Sequence, residues 1–536
     1  MIITADGIKR EELQEDLMPI RIVDSHEVIN IEGLMNIHPA SVSFANENWT
    51  RFNGCGSYIV LDFGKEICGG IRLITRIANG CARWRITFGE SLTEACSSIG
   101  YKNATNDHSP RDIEVLASSM SDLQFGQTGF RFVRLELLSN EAVTIQSIFA
   151  VSHLPVFERE AEIVTDDSLL NEIINTAIYT LKLNFQNGYI WDGIKRDRLV
   201  WCGDLHPEIL TSLYVFGDNE NIKNSLIFLK NSTPATGWIN TIPSYSAWWV
   251  INLCDYCHMT GNYEFFQEHK AYAKAVISHF NECIDDAGNI NFSYKGNMNY
   301  FLDWSTRDSD DAIVGVQSLL CMMVEKYLRI EENIECQQIR DKLSVCLDVQ
   351  TTLKPVRAFQ VLAGRKGLED CRMLEADGAQ GFSTFMAYYI LTALANSGST
   401  KLLEILKEYY GGMLSKGATS FWEDFDVAWL KNSCRIDEFP KEGEADIHGD
   451  FGKYCYKQFR HSLCHGWSSG VVAFIIEYIL GVRIENGGEK VHCNPHLMGL
   501  QNIEAKIPLK TGWLELEIHG DDIKIHAPKE TEVCMV

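Results

Sequence analysis

Positive charge is what this sequence has least of: 48 Lys and Arg stand against 72 Asp and Glu, a formal net charge of −24. Such a surface repels nucleic acid and anionic membranes, and it disfavours a polyanionic substrate. A neutral substrate fits better, and the same charge also serves solubility. No apolar run reaches the roughly 18 residues that a transmembrane helix needs. The stretch Met1 to Arg10 has no basic segment followed by an apolar one, so no signal peptide is expected. Cys254 and Cys257 form a C-x-x-C, but no second pair follows at zinc-ribbon spacing. The 17 cysteines are odd in number and cannot all pair within one chain. Free thiols in a reducing cytoplasm fit this better than a disulfide framework. No repeat of fixed period is visible, which argues against a solenoid. What remains is a chain of 536 residues, 46% hydrophobic, longer than one typical domain of roughly 100–200 residues.

Three regions differ in pattern. Residues 1–160 read as β: short apolar or alternating stretches at 58–63, 71–75, 84–88, 130–137 and 143–149 are separated by turn residues. Phe130, Phe132, Leu135 and Leu137 suggest a half-buried strand with a bulge, and several such strands imply a β-sandwich. From Asp166 or Asp167, which can cap a helix, Leu169, Leu170, Ile173, Ile174, Ala177, Ile178 and Leu181 form an amphipathic stripe. Helical periods recur to about residue 480, at 271–284, 314–330, 337–347, 381–395, 402–410 and 468–479 among others. About a dozen helices fit six helical hairpins closed into a barrel, and they also fit an open array. Residues 481–536 return to β, with strands expected at 482–484, 512–518 and 523–525. This tail is too small to be a strong independent domain and is expected to pack on the helices as a small sandwich.

Chemistry concentrates in the run from Trp191 to Asp204. Three carboxylates (Asp192, Asp197, Asp204), three cations (Lys195, Arg196, Arg198) and two tryptophans fall within 14 residues, bracketed by Gly193 and Gly203, which favour a loop entering a helix. Carboxylates and Arg hold sugar hydroxyls, and Trp faces stack on pyranose C–H surfaces. The same inventory also fits a surface salt-bridge loop with two core tryptophans. In a second segment, Trp422 and Glu423 follow Gly417, Ala418, Thr419 and Ser420. A carboxylate beside aromatic surface suits an acid or a base, though a helix N-terminal turn would also explain it. A third segment holds His461, Cys464, His465 and Trp467 before the last long helix. His465 suits a hydrogen bond to a sugar hydroxyl or a carboxylate. A metal pair with His461 lacks a third ligand at metal spacing, and Cys464 beside His465 is a poor nucleophile pair because sequence neighbours diverge. Aromatic patches at Phe301, Asp303 and Trp304, and from Trp238 through Trp248 and Trp249, complete the set. Eight of the 12 tryptophans lie in these five patches, which favours a carbohydrate site.

The run Asp192-x-x-x-Arg196-Asp197-Arg198-x-x-Trp201-x-Gly203-Asp204 resembles the signature loop of α-L-rhamnosidases, glycoside hydrolase family 78. Phe421-Trp422-Glu423 after Gly-Ala-Thr resembles that family's T-T-x-W-E segment, Asp303-Trp304 its G-D-W, and His465 its late histidine. Val60 to Gly64, Phe88-Gly89-Glu90 and Gly129 to Phe132 look like the β-sandwich before its barrel. The resemblance runs nearly the whole chain in order; the Asp192–Asp204 run is specific, and the others add weight together. It implies a central (α/α)6 barrel at 161–480, flanked by an N-terminal β-sandwich (1–160) and a small C-terminal β-sandwich (481–536). It implies an inverting hydrolase that releases terminal α-L-rhamnose from small glycosides or oligosaccharides in the cytoplasm, with no cofactor and no metal. Asp197 would be the general acid and Glu423 the general base. Asp192, Arg196, Trp201 and Asp204 would hold the sugar, with Trp304 and His465 lining the site and the aromatic residues Trp248 and Trp422 beside it. The expected partner is a carbohydrate, with neither nucleic acid nor membrane, and homo-oligomerisation stays open. The sequence departs from the family at the acid, where Asp197 stands for the usual Glu and retracts the carboxyl by about 1.5 Å, and at Ser420, which stands for the second Thr. The acid departure keeps a second class of function in view, a carbohydrate-binding protein without turnover on the same scaffold. A third is an (α/α)-barrel hydrolase or lyase for another sugar.

Overall fold

The computed structural model describes residues 2–3, 9–10, 12–36, 41–43, 49–292, 298–367 and 369–535. The N-terminal region forms a nine-stranded antiparallel sheet. Its spine is the 20-residue strand Tyr58–Ile77, which joins the two expected segments 58–63 and 71–75 into one. On either side lie Asp122–Leu137 and Val143–Pro155. The register shifts between Phe130 and Phe132 and is continuous from Phe132 to Glu136, so the irregularity precedes the break in alternation between Phe132 and Leu135.

Between residues 168 and 479 the described residues form twelve helices, with Gly470–Phe474 and the π-turn Ile475–Ile479 taken as one. The first, Ser168–Asn184, is capped by Asp167, whose side chain accepts from the Leu170 N–H. Two kinds alternate. Leu205–Val215, Pro243–Thr260, Ala312–Leu328, Lys354–Leu362, Thr384–Asn396 and Gly470–Phe474 are buried over all or most of their circumference. Glu220–Ser232, Tyr263–Glu282, Ile334–Leu343 and Leu402–Ser415 bury one stripe and expose the rest, as outer helices must. Each buried helix packs on the next in the order given, and Gly470–Phe474 packs on Leu205–Val215. The tail adds two small sheets. In one, Glu162–Thr165 pairs with Asn502–Leu509, so a strand from before the helices completes the layer that follows them. All the cysteines are free. Among the described residues no helix is long and apolar enough to cross a membrane.

Sheet and helices meet through buried polar contacts. Lys195, only 7% exposed, places its ammonium 2.9 Å from Glu90 and 3.1 Å from Glu94, both fully buried on the sheet side, and also donates to the His461 and Phe459 carbonyls. Gly129 donates to the Ile194 carbonyl; a Cβ there would come within 2.7 Å of Ile194 and 3.0 Å of the Lys195 nitrogen, so only glycine lets strand and loop approach this closely. Removing one member of a buried ion group strands the others without water. Lys195→Met should therefore destabilise the protein by about 3–5 kcal/mol, read as a lower denaturation midpoint in urea.

Candidate active site

The pocket lies where loops feed the N-terminal ends of the buried helices. The loop 191–204 enters Leu205–Val215, and Ile242 and Tyr245 open Pro243–Thr260. Trp304 precedes Ala312–Leu328, and His465 and Trp467 precede Gly470–Phe474. Glu423 lies in the loop after Leu402–Ser415, and the Thr384 hydroxyl and Trp467 indole donate to its carbonyl. These residues, with Asp192, Arg196, Asp197, Trp201, Asp204, Met298, Phe301 and Cys455, line a narrow cleft of about 80 Å³. Larger hollows of about 810 and 1170 Å³ lie elsewhere, the second lined by the C-terminal halves of the same helices. The small cleft is the better candidate because carboxylates, a guanidinium and tryptophans converge on it.

Arg196 organises the cleft. Its Nη1 donates to Asp197 Oδ1 at 3.0 Å, its Nη2 to Glu423 Oε1, and its Nε to the Arg460 carbonyl. The second Glu423 oxygen accepts from the Ser462 N–H at 3.1 Å. Asp197 and Arg198 hold φ of 56° and 57°, the left-handed region that non-glycine residues seldom adopt and that clusters at functional sites. Opposite, the His465 Nε2 stands 3.6 Å from Asp192, 3.8 Å from Glu423 and 3.9 Å from Asp204. A bridge between Gly193 and His465, and the Gly466 N–H donated to the Asp192 carbonyl, pin the two loops together.

Burial sets the protonation of this wall. It pushes the Asp192 carboxyl well above the ordinary carboxylate range, with the Asp197 charge adding to it. It raises Asp204 in the same way, helped by Asp192, although the Tyr245 hydroxyl donates to Asp204 at 3.2 Å. Glu208, on the same helix, is raised by burial and then by Asp204 and Asp192. Neither of its carboxyl oxygens has a hydrogen-bond partner among the described residues. A Cβ on Gly466 would fall 2.1 Å from its Oε1, so a larger residue there would have to displace the Glu208 carboxyl. Asp424, behind Glu423, is pushed up to about 7 by burial, Asp303 and Glu423. The one group of metal-type side chains among the described residues, Glu90, Glu94 and His448, lies outside the cleft, and the Lys195 ammonium bridges its carboxylates.

Eight of the ten residues expected at the site line the cleft: Asp192, Arg196, Asp197, Trp201, Asp204, Trp304, Glu423 and His465. Trp248 and Trp422 do not. Trp248 is fully buried, its ring 5.4 Å from Tyr389 and 4.9 Å from His206. Pro243 starts that helix, so Tyr245 sits at the mouth and Trp248 one turn deeper, in the core. Trp422 packs on Phe425 and His461 while its neighbour Glu423 faces the cleft. The structure thus brings Tyr245 and Glu423 from these two patches to the cleft and leaves Trp248 and Trp422 in the core. Proline at the first helical turn was the signal that favoured Tyr245. Trp467 was noted without a role, and nothing in the sequence pointed to Met298, Cys455 or Glu208.

Residues 158–317 match the family model described as the bacterial alpha-L-rhamnosidase 6 hairpin glycosidase domain. The resemblance of the 192–204 run to α-L-rhamnosidases is borne out on this match. Among solved structures, the GH78 family rhamnosidase of Bacillus sp. GL1 is similar at 19% identity and a TM-score of 0.73, over 95% of this chain and 55% of that one. A rhamnosidase from Klebsiella oxytoca with rhamnose bound is similar at 18% identity and a TM-score of 0.70, over 88% and 97%. The α-L-rhamnosidase from Dictyoglomus thermophilum is similar at 15% and 0.70, over 98% and 59%. The chain thus spans little more than half the length of the first and third. No curated protein matches in sequence.

Burial lowers the His465 imidazole to about 4, against the opposing pull of Glu423. The folded state therefore binds fewer protons at this residue than the unfolded chain, whose histidines titrate near ~6.5. Whatever stability neutral His465 contributes is present above that value and is lost as pH falls toward 4. The stability difference between the wild type and His465→Asn should shift against the wild type over this window. The imidazole's NMR signals should report a neutral ring down to about pH 4.

Proposed function

We propose that the protein is an inverting glycoside hydrolase that releases terminal α-L-rhamnose from small glycosides or oligosaccharides. One observation carries the reading: Asp197 and Glu423, far apart in sequence, line one cleft and share one guanidinium. The matched family domain and the rhamnose bound in the Klebsiella oxytoca enzyme support the choice of sugar. The ring of six buried helices, with outer helices between them, supports reading the centre as an (α/α)6 barrel at 161–480. Residues 1–160 and 481–536 are read as β-sandwich units, the second borrowing the strand Glu162–Thr165. Neither a metal nor a cofactor is needed for this chemistry. The acidic surface and free thiols suit a cytoplasmic enzyme acting on imported glycosides.

Asp197 protonates the glycosidic oxygen as the bond to the anomeric carbon breaks. Glu423 takes a proton from a water that attacks the opposite face, so the product anomer is inverted. Arg196 holds both carboxyls in place. Burial pushes Asp192 and Asp204 toward the protonated form, in which a carboxyl can donate as well as accept, which suits sugar hydroxyls, and Trp201 and Trp304 offer apolar faces.

Glu423→Gln should lower turnover of an aryl α-L-rhamnoside by about 10²–10⁴-fold while rhamnose still binds by calorimetry. The first sugar released by the wild type should be the β-anomer by NMR. Full activity in the variant removes Glu423 as the base. A wild type that binds rhamnose but releases none leaves the non-catalytic binding protein, and cleavage of a different glycoside in a panel changes the sugar.

A further inference from the structure

The loop between the strands Cys81–Gly89 and Asp112–Ser118 of the N-terminal sheet reaches the cleft. His108 places its Nδ1 3.1 Å from Asp197 Oδ1, the oxygen that also accepts from Arg196 Nη1. The loop is fastened on both sides of this contact. Asp107 accepts from Arg460 Nη2 at 2.9 Å and Nε at 3.2 Å, and the Ser109 hydroxyl donates to the Lys195 carbonyl at 2.6 Å. Arg111 is anchored in the sheet through the Ser97 and Phe88 carbonyls. His108 itself holds φ of 68°, a left-handed conformation that such fastenings maintain.

We propose that His108 is a positioning residue for the acid: it fixes the Asp197 carboxyl from the sheet side. The proposal rests on the reading of Asp197 as the general acid. Arg196 reaches Oδ1 from its own loop as a donor only. His108 is held on its far side as well. Its Nε2 faces Asp107 Oδ2 at 3.8 Å. Burial pushes the Asp107 carboxyl up, but the Arg460 hydrogen bonds outweigh it and hold Asp107 below its ordinary range. Carboxylates thus flank both ring nitrogens, with the contact to Asp197 the shorter, and the ring is held between them. The shorter Asp side chain thus lies between a guanidinium from its own loop and an imidazole from the N-terminal sheet, on a left-handed backbone that re-aims it. The charged groups facing His108 are Asp107, Asp197 and, through them, Arg460 and Arg196.

Leaving-group dependence tests this, because a good leaving group departs without a proton and a poor one does not. The full chain is assayed as wild type, H108A, H108N and D197N with dinitrophenyl and phenyl α-L-rhamnosides. H108A should lose on the order of tenfold in kcat on the phenyl substrate, with KM unchanged, kcat on the dinitrophenyl substrate within about twofold, and an unaltered thermal midpoint. H108N should recover most of the loss, since Asn tolerates the left-handed backbone and offers an amide that can hydrogen-bond the Asp197 carboxyl. D197N should show the same selectivity more strongly. If D197N is selective and H108A is not, or H108A loses equally on both substrates, the role of His108 is overturned and the acid stands. If D197N shows no selectivity, both are overturned.

Discussion

The guanidinium of Arg196 is the group on which the rest of the site depends. A buried Arg costs several kcal/mol to desolvate, and that cost is met only when its donors are aimed at acceptors. Here each of its three nitrogens is engaged: Nη1 toward Asp197, Nη2 toward Glu423 and Nε toward the Arg460 carbonyl. Because the fork is planar and rigid, satisfying it fixes the relation between two carboxyls that belong to different loops. The loop of Glu423 is held in turn by Ser462, with the Glu423 N–H donated to the Ser462 carbonyl and the Ser462 N–H to the Glu423 carboxylate.

This arrangement reaches into the N-terminal sheet. Glu90 accepts from the Leu463 N–H and the Ser462 hydroxyl and pairs with Lys195, the residue before Arg196. The carboxylate that grips the 461–463 loop therefore also grips the 195–197 loop. Burial drives the Glu90 carboxyl up to about 7 despite the pull of Lys195. Further along, Arg131 donates to the Gly417 carbonyl, and the Glu66 N–H donates to the Thr419 hydroxyl. The sheet is therefore part of the frame that sets the catalytic loops, rather than a separate module beside them.

Much of the site was legible because polar residues crowded into a short run must answer one another. Asp192, Arg196, Asp197, Trp201 and Asp204 lie on one loop, and their spacing carried the family likeness. The β regions, the capped helix after Asp167 and the helical stretch to about 480 followed from apolar periodicity. Errors fell where a patch had to be resolved into faces. Trp248 and Tyr245 share an aromatic cluster, but one turn of helix separates mouth from core. Trp422 and Glu423 are adjacent, yet one packs inward and the other lines the cleft. Glu208 carried no signal, since a Glu in a helix is ordinary until every side of it is found to be buried.

The sequence by itself determined which chemistry was on hand: the inventory of acids, cations and tryptophans, the order of β and helical regions, and the Asp at position 197. Those are local facts of composition and period. Only the tertiary structure decided that Glu423 meets Arg196, that His108 arrives from the sheet, and which tryptophans face the cleft. These contacts join residues up to hundreds of positions apart, and no local pattern encodes them. They are fixed by which faces the packed helices leave free and by the need to pair every charge that packing buries.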